Sequence, residues 1–223
     1  MLKRAIILAC AIAAINSHAF AAAPQGKAPV KVARSSDAAG ANGAARKAGA
    51  RASAKLGTSP TKPSVVLSQA HRDTCSKFLG DDVNGITVTD MDGKSHSLKD
   101  LLSDRLTVLI FWSEHSYSGL EQFRRVPVDV LAKFASFRVK VVAANVGGDP
   151  SSTRRLTGDA ADKIVSLVDQ ESKLLDQFAT SKLPRTYVLD KNGKILWLDL
   201  EYSQSTIRSL DNALTYFLAQ GRK

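Results

Sequence analysis

The chain has 223 residues and a formal net charge of +10, with two cysteines and seven prolines. That length accommodates one domain with a real core plus extra segments, and two cysteines exclude a disulfide-stapled scaffold. The charge is local: residues 23–64 hold eight Lys or Arg against Asp37, and with Lys3 and Arg4 they carry nine of the ten net charges. Residues 65–223 are therefore nearly neutral, so the high pI says nothing about the partner of a folded domain.

The first 21 residues read as a signal peptide. Lys3 and Arg4 form a short basic region, Ala5 to Ile15 is apolar, and Ala19-Phe20-Ala21 places small residues where a signal peptidase cuts. The apolar run is shorter than the roughly 20 residues that span a bilayer; an uncleaved anchor is the alternative. Either way the domain is expected outside the cytoplasm, periplasmic or secreted. Cleavage would remove Cys10 and leave Cys75 alone, without an internal disulfide.

Residues 22–64 are mostly Ala, Gly, Ser, Pro, Lys and Arg, with no aromatic residue and no sustained apolar period. Such a segment cannot bury enough surface to offset ordering entropy, so a disordered basic tail is expected. It would serve as a spacer or as a tether to an anionic surface. Without aromatic residues between its cations it lacks stacking partners for single-stranded nucleic acid, so no specific nucleic-acid partner is expected.

Residues 65–84 form a lead-in, with a short helix expected over Val66 to Leu79, ended by Gly80. His71 and Cys75, four apart, would share a face of it. Half a metal site, a reactive thiol and an inert one are the readings; no other Cys/His pair has ligand spacing, so no metal is expected. Residues 85–223 read as the folded domain. Ile86 to Thr89 alternates as a strand. Asp90-Met91-Asp92-Gly93 lacks the remaining carboxylates of a calcium loop and reads as a hairpin turn. A helical turn is expected to begin at Ser97, which is able to cap it. Leu106 to Trp112 is a continuous apolar run of the kind a doubly covered strand shows.

A small polar turn follows, then a helix expected from Gly119 to about Phe134, with Pro127 as a kink. Glu114, His115, Ser116 and Ser118 contain the residue types of a serine hydrolase. Residues adjacent in sequence rarely face one another, and no Gly-x-Ser-x-Gly elbow is present. Ser118-Gly119-Leu120-Glu121 instead has the spacing of a capping box. Strands are expected at Phe137 to Val146, Ile164 to Val168, Thr186 to Asp190 and Lys194 to Leu200, the last two joined through Lys191-Asn192-Gly193. Helical stretches are expected at Ser151 to Lys163, Glu171 to Thr180 and Ser205 to Leu218. Strands alternating with helices, then a hairpin and a final helix, describe an α/β sandwich with a central sheet flanked by helices.

This order resembles the thioredoxin-like fold, and in particular the extracytoplasmic thiol-disulfide oxidoreductases of the TlpA/ResA type within the AhpC/TSA–redoxin group. The residues that carry the likeness are Ile86 to Gly93, Leu109-Ile110-Phe111-Trp112-Ser113, Val168 to Phe178 and Leu183-Pro184-Arg185-Thr186 through Ile195. The resemblance implies a mixed sheet and a cis Leu183–Pro184 bond facing the turn after Trp112. It also implies a peptide groove between them, here lined by His115, Tyr117, Leu183, Pro184 and Arg185. Aligning Phe111-Trp112 puts Ser116 and Gly119 on the family's two catalytic cysteines and Gln122 where relatives often carry a proton-transferring glutamate. A serine hydroxyl is too weakly acidic to replace a thiolate, and glycine has no side chain. The expectation is thus a domain that binds a peptide or protein, without redox chemistry at the usual site and without a cofactor. The alternative is a thiol-redox protein that works through Cys75 and a partner thiol.

Overall fold

The computed structural model describes residues 60–181 and 183–220. The expected signal peptide, and the expected tail as far as residue 59, lie outside the described residues.

Five strands form one mixed sheet. In chain order they are β3 (Leu106–Trp112), β4 (Val139–Val146), β5 (Ile164–Asp169), β6 (Arg185–Asp190) and β7 (Ile195–Leu200), and the spatial order is β5-β4-β3-β6-β7. β4 runs parallel to β3 and to β5, while β6 is antiparallel to both β3 and β7. A separate hairpin pairs β1 (Thr87–Thr89) with β2 (Ser95–Ser97). The helices are α1 (Gln69–Arg72), α2 (Tyr117–Val126), α3 (Pro150–Thr157), α4 (Lys173–Asp176) and α5 (Gln204–Gln220).

All seven residues of β3 are buried, because the strand has a neighbour on each edge and cover on both faces. Val108, Ile110 and Trp112 face one layer with Phe123 and Val126 of α2 and Ala213 and Leu214 of α5. Trp112 stacks on Phe123 with ring centroids 4.0 Å apart. Leu109 and Phe111 face the other layer with Val83, Leu175, Phe178 and Tyr187. The strand's two-residue period thus splits one apolar run into two cores.

Three expected elements differ from what forms. The lead-in is helical only over Gln69–Arg72, because the residues after it pair with the domain. Cys75 bridges Ala179, Asp82 bridges Lys194, and the amides of Ser76 and Lys77 both donate to Phe178 O. Tertiary pairing overrides helix propensity here. α2 begins two residues early and ends at Val126; Pro127–Ala132 continues as a wider π turn, since proline has no N–H to donate to the preceding turn. α4 is short because the buried Asp169 carboxylate accepts the amides of Leu174 and Leu175, both at 2.9 Å, and the chain beyond is taken up by the lead-in.

Candidate functional site

β3 delivers the chain to the turn Ser113-Glu114-His115-Ser116, and α2 starts at once. The Ser116 amide donates to Ser113 O (3.1 Å), and Ser116 O accepts from Leu120 N (2.8 Å). Ser116 is the N-cap: its Oγ accepts from Gly119 N at 3.3 Å. The capping-box reading placed that role on Ser118, whose hydroxyl instead lies 3.3 Å from Ser116 Oγ. Helix geometry explains the difference, since the helix includes Tyr117 and the cap must precede it. Gly119 is packed tightly: an ideal Cβ there would come within 3.1 Å of Ser113 N and 3.4 Å of Ser116 Cβ.

The hydrolase-like residues do not converge. Glu114 Oε1 accepts from Ser152 Oγ at 2.5 Å, on the first turn of α3. The His115 side chain is exposed, and among the described residues it makes no hydrogen bond. Tyr117, 87% exposed, projects from the first turn of α2.

The facing loop precedes β6. The Leu183–Pro184 peptide is cis, Pro184 is buried and Leu183 half-buried. Arg185 pairs with Phe111 in the sheet, so the proline loop and the turn after Trp112 leave the same end of adjacent strands. Pro184 O accepts from Glu201 N at 2.9 Å.

Arg185, expected on the groove wall, is 0% exposed. Side chains alternate along β6, and Arg185 shares its face with Tyr187, under the lead-in. Its Nε donates to Ser181 O (3.0 Å) and its Nη2 to Ser181 O (2.6 Å) and Thr74 Oγ1 (2.5 Å). Its Nη1 lies 3.2 Å from Cys75 Sγ. Cys75 is half-buried and donates to His71 O at 3.4 Å. The His71 ring turns away to Glu201, 3.3 Å off, so the His–Cys side-chain pair that a shared helix face would allow does not form. Burial pushes the Tyr187 phenol up to about 12, with the nearby Arg185 guanidinium acting in the opposite direction. No group of three or more His, Cys, Asp or Glu among the described residues is arranged to hold a metal ion.

On the other face, Gln122 is buried and its Nε2 donates to Thr186 Oγ1 at 2.7 Å. Beside it a pocket opens between α2, β7 and the start of α5, lined by Asp129, Asp199, Glu201 and Tyr202 among others. Tyr202 Oη donates to Asp129 Oδ2 at 2.9 Å; burial first, and this carboxylate second, push its phenol up to about 12. Burial also raises Asp199 above the usual carboxylate range, with the Glu201 charge adding to it. Sequence reasoning missed this pocket, since its carboxylates are spread from residue 129 to residue 201. It also missed Thr74 and Ser181 as partners of Arg185. An arginine at the head of an otherwise apolar strand was the available signal.

The AhpC/TSA family profile matches residues 79–198. A thiol-disulfide oxidoreductase ResA of Bacillus thuringiensis is 22% identical over 118 residues, covering 53% of this chain and 67% of that protein. Among solved structures, a candidate thiol:disulfide interchange protein DsbE from Chlorobium tepidum superposes with a TM-score of 0.56 at 17% identity, over 64% of this chain and 99% of that one. The thioredoxin domain of a thiol-disulfide oxidoreductase from Bacteroides vulgatus gives 0.52 at 16% identity, over 64% and 99%. Both likenesses concern the thioredoxin-like fold. Among the described residues, no helix is long and apolar enough to cross a membrane.

Proposed function

The chain belongs to the AhpC/TSA family, and from that premise we propose that it is an exported, thioredoxin-like peptide-binding protein, redox-inactive at the family's usual site. The observation that carries this reading is the pair Ser116 and Gly119 at the start of α2, where Ser116 Oγ caps the helix and no sulfur is present. The groove itself needs no sulfur. An extended peptide is held by backbone hydrogen bonds in strand fashion and read by side chains beside it. His115, Tyr117 and Leu183 are the groove residues in this reading, next to Pro184; Arg185 is not, being buried beneath the lead-in. The basic tail is proposed as a spacer or a salt-sensitive tether to an anionic surface.

A second reading follows from one contact. Arg185 Nη1 lies 3.2 Å from Cys75 Sγ, which places a half-buried sulfur beside a cation. In that reading the protein is a thiol-disulfide oxidoreductase, as its ResA relative is named, working through Cys75 and a partner thiol.

Turnover separates the two. Under the first reading the purified protein neither reduces insulin disulfides with dithiothreitol nor reduces peroxide with a thiol donor. A panel of extended peptides shifts NMR signals of His115, Tyr117 and Leu183. Turnover above buffer that disappears in Cys75→Ser overturns the first reading in favour of the second.

A further inference from the structure

The pocket behind α2 is built to receive hydrogen-bond donors. Gln122 spends its Nε2 on Thr186, and its Oε1 is buried with no hydrogen-bond partner. A buried acceptor left unpaired is costly, so a site of this kind calls for a donor. Three of the groups that share the pocket with it are carboxylates, which only accept. Asp199 Oδ1 takes the Leu200 amide at 2.8 Å, and its other oxygen has no donor among the described residues. Asp129 and Glu201 complete three carboxylates on one pocket. The cations that answer them stand at the rim: Arg125 is 3.4 Å from Asp129 and half exposed, and His71 is 3.3 Å from Glu201. Three carboxylates against one permanent cation leave the pocket negative.

The floor is apolar. Ile110, Val126 and Trp197 are buried and line it. The pocket is open on one side, and its inner cavity measures only about 20 Å³. That inner space is near the minimum for one small group. That space admits only a compact head group and no planar guanidinium, and the stem that carries the head lies in the open mouth. Anions are opposed by the carboxylates, and a purely apolar chain leaves Gln122 Oε1 unpaired. Tyr202 and Ile207 also line the shallow hollow beside Tyr117 and Ser118, so the pocket and that hollow share a wall near the first turn of α2. Glu201, on its wall, donates its amide to Pro184 O.

We propose that this pocket is a subsite for a primary ammonium on an alkyl stem, carried by a lysine side chain of the bound peptide. The ammonium supplies three donors to Gln122 Oε1 and the carboxylates, and the methylenes lie in the open mouth. The carrier rests on the peptide-binding reading; the ammonium site does not, because a free alkylamine presents the same chemistry.

Calorimetric titration of the full chain tests both. The probes are a capped five-residue peptide with a central lysine, the same peptide with norleucine or arginine in its place, and n-butylammonium. The lysine peptide is expected to bind at least tenfold more tightly than either relative, and the margin is expected to vanish in Asp199→Asn and in Gln122→Met. Asp199 is only half-buried, so its variant keeps the test alive if the Gln122 variant does not fold. Equal binding of the lysine and norleucine peptides overturns the subsite and leaves the peptide groove standing. Binding of butylammonium without any peptide keeps the ammonium site and overturns the peptide carrier. No binding by any probe, with a water alone on Gln122 Oε1, overturns both.

Discussion

A Cβ built on Gly119 would stand 3.4 Å from the Cβ of Ser116, close to the separation of about 3.5–4.5 Å that a disulfide bridges. The backbone at the start of α2 therefore retains the spacing of a two-cysteine turn although neither sulfur is present. Ser116→Cys with Gly119→Cys is expected to form an intramolecular disulfide under mild oxidant, detected as loss of both thiols to a maleimide reagent. The new Cβ at 119 must push Ser113 N back by a few tenths of an ångström from its 3.1 Å contact, so some loss of stability is expected as well. Two thiols that remain free under oxidant would show that Ser116 and Gly119 do not hold this spacing in solution.

Arg185→Met removes the charged donor to the Thr74 hydroxyl, a bond of a kind worth about 1.5–3 kcal/mol, while Thr74 O keeps the Thr180 amide and the exposed Ser181 turns to water. The urea midpoint should fall accordingly, while Cys75→Ser, which keeps a small polar atom before the guanidinium, should fall less. An Arg185→Met domain as stable as the parent would mean that the guanidinium does not hold the lead-in to the sheet.

Acid should weaken the β1–β2 turn. The Asp90 carboxylate accepts the His96 ring (2.7 Å) and the amides of Lys94 and Asp92. The His96 bond first and the Lys94 amide second hold it down to about 2, from 3.8. A group whose folded value is depressed stabilises fully above its unfolded value and loses that contribution as pH falls through the folded one. Stability should therefore decline from about pH 4 toward pH 2. In Asp90→Asn, which keeps one oxygen for the turn amides, the decline should be shallower. Urea midpoints across that range measure it; parallel slopes in the two proteins would remove Asp90 from the account. Asp104, held low by Arg138, and Asp149, held low by the Ser152 amide, contribute to the remaining slope.

The hairpin between β6 and β7 depends on Gly193. Its φ is +85°, and a Cβ there would meet Val83 Cγ2 at 2.9 Å. Gly193→Ala should cost at least the roughly 1–3 kcal/mol of a side chain held in a disfavoured backbone region, since it also displaces buried Val83. Thermal unfolding of the variant checks this; an unchanged midpoint would show that the turn relaxes without cost.

Much of the fold was legible because its signals are local. The seven-residue apolar run of β3, the Asn192-Gly193 turn and the spaced apolar positions of α5 each identify an element without outside help. The lead-in was not legible. Residues 74–83 take their shape from Phe178, Ala179 and Lys194, about a hundred residues away, and their own propensities point to a helix. The candidate site divides the same way. Ser116 and Gly119 follow from counting past Trp112, whereas the burial of Arg185 follows from which face of β6 it occupies. That face is set by the pairing of Arg185 with Phe111, and a one-residue change of register would reverse it.

The sheet order also constrains how the molecule is made. β3 lies between β4, which follows it after the crossover through α2, and β6, which is not complete until Asp190. Until then one edge of the most apolar strand has no neighbour, and an open apolar edge readily pairs with other chains. Contacts between segments so far apart in sequence form slowly. An emerging chain is therefore committed to the native state only when β6 arrives, and versions truncated before β6 should accumulate as aggregates rather than as smaller folded domains.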